Sequence, residues 1–176
     1  MTRRELRRLR TAATPAPTIL TVCTGNICRS ALASVLLQAR LGSVRVLSAG
    51  TQALEGEGMP PEQQSIARGR GARAEDIAAH RAQQLVEPLV AESELVLAMT
   101  QEHRRYAMRL VPGQLHRIFT AREFARLAAQ LSDAEVQRIA DGAGADARDR
   151  LGAVVLAISA RRGAGEPDED VIDPYR

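Results

Sequence analysis

Residues 18–41 read TILTVCTGNICRSALASVLLQARL, and the fold is decided here. Thr18 to Cys23 is a short apolar, β-branched run, the composition of a buried strand. From residue 30 onward Leu32, Val35, Leu36 and Ala39 fall at helical spacing, with Ser30 in the N-cap position and Gly42 just beyond the end. A strand that passes through eight residues, CTGNICRS at 23–30, into a helix is the first half of a strand–helix–strand unit.

Outward from this unit the pattern repeats. VRVLS (44–48) and ELVLAM (94–99) read as further strands, and QLHRIFT (114–120) as a weaker fourth. Helices are expected over 60–70, introduced by Pro60 and Pro61 and stopped by Gly71, and over 101–111, ending before Pro112. Two more are expected near 121–131 and 146–162, separated by Gly142 and Gly144, before a polar loop and VIDPYR. Strands alternating with helices predict an α/β fold, a parallel sheet covered on both faces, with ligands at the carboxyl ends of the strands. There is no internal repeat.

The chain has 176 residues, one domain's worth, with 45% apolar and 26% charged residues but only 2% aromatic, so alanine and small aliphatics must fill the core. All 24 basic residues are arginine. Residues 1–10 hold Arg3, Arg4, Arg7, Arg8 and Arg10 against Glu5, which leaves 19 arginines against 20 acidic residues in the rest. The basic excess therefore belongs to a flexible arm, residues 1–17, and the folded part, 18–176, has no basic surface interleaved with aromatics. A nucleic-acid partner is excluded on that ground. Pro15 and Pro17 interrupt any signal-like run, and nothing later approaches a membrane span. Two cysteines, Cys23 and Cys28, are too few and too close to staple a secreted fold and fit a cytoplasmic setting.

Each residue of the 23–30 loop suits an anion, and phosphate above all. A loop that curls with its N–H groups inward and runs into a helix N-terminus is an anion site. Gly25 and Asn26 permit a left-handed backbone. Arg29 offers a planar fork to two oxygens, and its charge together with the helix start favours the thiolate of Cys23, to which Ser30 can donate a hydroxyl. An ordinary buried cysteine and a surface arginine would leave Gly-Asn-x-Cys-Arg-Ser without a reason. Cys28 either packs or traps an oxidised Cys23 as a disulfide. Asp173 lies in an acidic run with Glu166, Asp168, Glu169 and Asp170, and such runs are ordinarily solvated. His103 and His116 receive no role.

VCTGNICRS resembles the active-site loop of the low-molecular-weight protein-tyrosine phosphatases, whose fold is a three-layer arrangement around a four-stranded parallel sheet. SAGT (48–51), the segment around His80 and Asp173-Pro174-Tyr175 resemble further segments of that family, so the likeness spans residues 18–176. It implies hydrolysis of protein tyrosine phosphate through a phosphocysteine intermediate, without metal or cofactor. Cys23 would be the nucleophile, Arg29 the phosphate clamp, and Asp173 the acid that protonates the leaving phenolate and then activates water. Thr24, Gly25, Asn26, Ile27, Cys28 and Ser30 would complete the phosphate-binding loop, braced by a hub of Asn26, Ser48 and His80. Leu54 and Tyr175 would form the pocket rim. An aliphatic at Leu54 is similar to bacterial members that act beside tyrosine kinases, so a tyrosine-phosphorylated protein, such as a bacterial tyrosine kinase, is the expected partner.

Two relatives of the same fold compete. Protein arginine phosphatases resemble this chain but carry threonine where Ile27 stands. Arsenate reductases need further cysteines to relay a disulfide, and none follows Cys28. A non-catalytic phosphate-binding module would lack either nucleophile or acid. The chain also departs from the family pattern. Thr100 stands where many members carry aspartate and Gln83 where arginine is common, neither expected to touch the chemistry. The family's closing helix after the Asp173 loop is expected to be missing.

Overall fold

Leu, Ile and Val dominate the strands, which pair into one parallel sheet in the order β2-β1-β3-β4. The strands of this computed structural model are β1 (Thr18–Cys23), β2 (Arg45–Gly50), β3 (Leu95–Ala98) and β4 (Ile118–Thr120). Residues 15–163 and 170–173 are described. The N-terminal arm, the run 164–169 and residues 174–176 lie outside them, and with them the expectations for arm flexibility and for Tyr175 at the rim. Central β1 pairs with β2 from Thr18↔Arg45 to Cys23↔Gly50 and with β3 from Ile19↔Leu95 to Val22↔Ala98. From β1 the chain goes to β2 on one side and then crosses back past β1 to β3 on the other, and that switch point puts a crevice beside the end of β1.

Side chains alternate across the sheet, so both faces are apolar. Ile19, Leu95, Leu97 and Phe119 pack against α1 (Arg29–Arg40), α6 (Ala121–Ala128), α7 (Asp133–Gly142) and α8 (Ala147–Ser159) through residues such as Leu37, Leu127, Ile139 and Val155. Leu20, Val22, Val96 and Ile118 face the other way, onto Val90 of α4 (Glu87–Ala91) and Ala107 of α5 (Gln101–Leu110). Ala31 and Val35 of α1 hold a smaller cluster with α2 (Pro61–Gly69) and α3 (Ala74–Ala79). The result is the expected three layers.

Several boundaries differ from expectation. QLHRIFT contributes only Ile118–Thr120 to the sheet, because β3 offers only Val96, Leu97 and Ala98 for pairing and Pro112 starts a 3-10 turn over Pro112–Arg117. Helices α3 and α4 are too short to show a periodicity. The region before the Gly142 break contains the additional helix α7, announced by a capping box between Ser132 and Glu135. The N-cap of helix α1 falls two residues early: it is Cys28, without a side-chain cap, and Ser30 lies inside the first turn.

Candidate active site

The loop after β1 takes its shape from bonds made on its outer side. The carbonyl of Cys23 accepts from Thr51 N at 2.9 Å, that of Thr24 from Gln52 N at 3.0 Å, and that of Gly25 from Leu54 N at 3.0 Å. Asn26 O accepts from His80 Nε2 at 2.8 Å. No peptide bond among the described residues is cis, and in a trans peptide the N–H points opposite to the carbonyl it shares a plane with. The N–H groups of Thr24, Gly25, Asn26 and Ile27 therefore face inward, a bowl of donors that runs into the positive end of α1. Gly50 permits this approach, since a Cβ there would lie 2.3 Å from the Thr24 carbonyl. Of the two residues expected in the left-handed region only Asn26 occupies it, at φ 57°. Gly25 does not, and its open side faces Ile27 and Leu54, each 3.8 Å from where its Cβ would stand.

At the floor lies the buried Cys23, its Sγ 2.9 Å from Ser30 Oγ. Asn26 Nδ2 donates to the same hydroxyl at 2.9 Å. Ser30 has one proton, and with Asn26 supplying the other contact that proton is free to point at sulfur. Asn26 is fully buried and tied down at both ends, its Oδ1 accepting from Gln83 N at 2.9 Å. Gln83 also donates from Nε2 to the Ser48 carbonyl at 2.9 Å. The hub thus comprises Asn26, Ser30, His80 and Gln83, with Ser48 joining through its backbone. Gln83, not expected to touch the chemistry, brackets it from outside. Burial holds His80 below the usual histidine range, so the neutral ring donates from Nε2 to Asn26.

Arg29 leaves the first turn of α1 and meets a segment from the far end of the chain. Its Nη2 donates to Asp173 Oδ2 at 3.0 Å and its Nη1 to the Val171 carbonyl at 3.3 Å. A cavity of about 230 Å3 opens there, lined by Thr24, Arg29, His103, Asp170, Val171 and Asp173 among others. Leu54, 52% exposed, stands at the loop's mouth, and Ile172, 81% exposed, flanks Asp173. His103, given no role by sequence, is buried at the cavity wall. Its Nε2 lies 2.9 Å from Thr24 Oγ1 and its Nδ1 2.9 Å from Thr100 Oγ1. Burial, and then the Arg29 charge, press its pKa down to about 4, so a neutral ring bridges the two hydroxyls. Thr100, which caps α5, is thereby one side chain away from the loop. The arrangement offers an inward-facing donor bowl, a thiol beneath it, a guanidinium at its edge and a carboxyl beside that, the parts a phosphoryl transfer to sulfur requires.

Comparison with known proteins agrees with this geometry. The family model described as low molecular weight phosphotyrosine protein phosphatase matches residues 18–144. The chain is 39% identical over 102 residues to a Ralstonia nicotianae protein named "Probable low molecular weight protein-tyrosine-phosphatase EpsP", covering 58% of this chain and 68% of that one. It is 36% identical over 107 residues to a Geobacillus stearothermophilus "Protein-arginine-phosphatase", covering 60% and 70%. The crystal structure of the Erwinia amylovora tyrosine phosphatase AmsI superposes with a TM-score of 0.56 at 26% identity, covering 85% of this chain and 93% of that one.

Proposed function

The chain belongs to the low molecular weight phosphotyrosine protein phosphatase family, and from that premise we propose that it hydrolyses tyrosine phosphate on proteins with Cys23 as nucleophile, Arg29 as clamp and Asp173 as general acid. The phosphate oxygens take the inward N–H groups of the loop and the Arg29 fork. Arg29 then releases the Asp173 carboxylate, which it holds at 3.0 Å in the structure, and that group takes up the proton the Cys23 thiol gives up on becoming thiolate and turns, now as the acid, to the leaving group. Sγ of Cys23 forms a bond to phosphorus as the phosphorus–oxygen bond to the phenol breaks, and the Asp173 proton passes to the departing oxygen. In the second step Asp173 takes a proton from water, the water oxygen attacks phosphorus, and sulfur leaves as thiolate with the Ser30 hydroxyl directed at it.

The observation that carries this reading is the Ser30 hydroxyl 2.9 Å from the Cys23 sulfur, held there by Asn26 beneath the curled loop. A tyrosine-phosphorylated protein, such as a bacterial tyrosine kinase, fits as substrate, with the exposed Leu54 as part of an apolar rim. That Cys23 and Cys28 are not in a disulfide supports a cytoplasmic setting. Among the described residues no helix is long and apolar enough to cross a membrane. The deciding assay is hydrolysis of an aryl phosphate in the presence of a chelator. Wild type is expected to turn over and Cys23→Ser to be inactive, since a serine hydroxyl stays protonated where a thiol ionises. Undiminished turnover by Cys23→Ser refutes the assignment.

A further inference from the structure

The described part of the acid segment, residues 170–173, is fastened to the body of the protein by two sets of bonds, and the two sets differ in what happens to them during turnover. One set runs through Arg29, to Val171 O at 3.3 Å and to Asp173 Oδ2 at 3.0 Å. In the reading above the substrate phosphate takes that guanidinium, so these bonds are surrendered when they are needed. The other set does not involve Arg29. Asp170 Oδ1 accepts from the backbone N–H of Gln101 at 2.7 Å, and Val171 N donates to the Met99 carbonyl at 2.7 Å. Arg122 Nη1 adds a longer contact to the Asp170 carbonyl at 3.4 Å.

Gln101 is the first residue of α5, and a helix's leading N–H groups have no partner within the helix. The Thr100 hydroxyl serves His103 N, two residues further on. The Gln101 N–H is served from 69 positions away, by Asp170, and a carboxylate there also meets the favourable end of the helix dipole. Asp173 is three positions from Asp170, a reach of at most about 10 Å, so where the first is pinned limits where the second can go.

We propose that Asp170 is a positioning residue for proton transfer: by capping α5 it holds Asp173 within reach of the leaving group while Arg29 is occupied by phosphate. The proposal rests on Asp173 being the acid. It is tested by kcat/KM for 4-nitrophenyl phosphate and phenyl phosphate, an easy and a difficult leaving group, in Asp170→Ala, Asp170→Asn, Asp173→Asn and the double variant Asp170→Ala/Asp173→Asn. Asp170→Ala is expected to lose roughly 10- to 100-fold on phenyl phosphate, the scale of a misplaced catalytic group, and distinctly less on the nitrophenyl ester. Asp170→Asn, whose amide oxygen accepts the same N–H, recovers most of the loss. The double variant is no slower than Asp173→Asn alone, because there is no proton left to position. The thermal midpoint is expected to fall by only about 2–4 °C, the scale of one lost helix cap.

Equal losses on the two esters in Asp170→Ala, or a double variant slower than Asp173→Asn by the full single-variant factor, would overturn the proposal. If Asp173→Asn itself shows no greater loss on phenyl phosphate, the assignment of the acid falls, and that result is separate from a flat Asp170→Ala beside a steep Asp173→Asn, which removes the positioning role alone.

Discussion

Ile27 bears on the choice of substrate through the company it keeps: with Leu54 it flanks Gly25, so the loop's mouth has an aliphatic side suited to a flat ring. A guanidinium needs partners for its N–H groups, and an aliphatic wall gives it none. Wild type is therefore expected to prefer a phosphotyrosyl over a phosphoarginyl peptide, and Ile27→Thr to move the ratio of kcat/KM toward phosphoarginine by about 1–3 kcal/mol, the worth of a single hydrogen bond in a desolvated site. Wild type preferring the phosphoarginyl peptide would reverse the substrate assignment and leave the phosphocysteine chemistry standing. Cys23 and Arg29 could be read from sequence because their meaning is local: six residues apart in one loop, they need only that loop to meet. Gln83, His103 and Asp170 could not, since each acquires its part from a partner 57, 79 or 69 positions away.

Helix α5 is the element on which two walls of the site meet. His103 in its first turn, held by the capping Thr100, reaches the 23–30 loop at Thr24, and Gln101 receives the segment 170–173. The buried His103 makes this turn sensitive to acid. Its folded-state pKa of about 4 lies below the ordinary 6.5, so as pH falls through that window the unfolded chain binds a proton that the native ring refuses. Stability then drops, by up to about 3 kcal/mol once pH is below both values. Burial moves His80 and His116 in the same direction, so His103→Gln is expected to flatten, though not abolish, the fall of the urea midpoint between neutral pH and pH 4.5; an unchanged slope would show that the ring titrates freely. The elements themselves were legible in proportion to their length. The β1–loop–α1 unit has a clear change of period, whereas α3 and α4 are shorter than two helical turns. For α7 the signal was present in Ser132 and Glu135 and lay in the cap, with the apolar face carried weakly by Val136 and Ile139.

Across the whole molecule the parallel order β2-β1-β3-β4 brings distant segments to one end of the sheet, because every strand delivers its following loop to the same side. Bowl and hub are encoded between Cys23 and Gln83, and the carboxyl that meets Arg29 comes 144 positions after it. Contacts of such separation close late, since the chain entropy of long loops must be overcome before they form. On refolding from denaturant, protection of Cys23 against alkylation by inorganic phosphate is expected to return before turnover of phenyl phosphate; simultaneous recovery would show one concerted assembly. The Arg29–Asp173 pair thus also marks a moment in time. Synthesis from the N-terminus makes the Cys23–Gln83 part of the site before residue 173, so, with Asp173 as the proposed acid, catalytic competence waits for a segment the ribosome makes later.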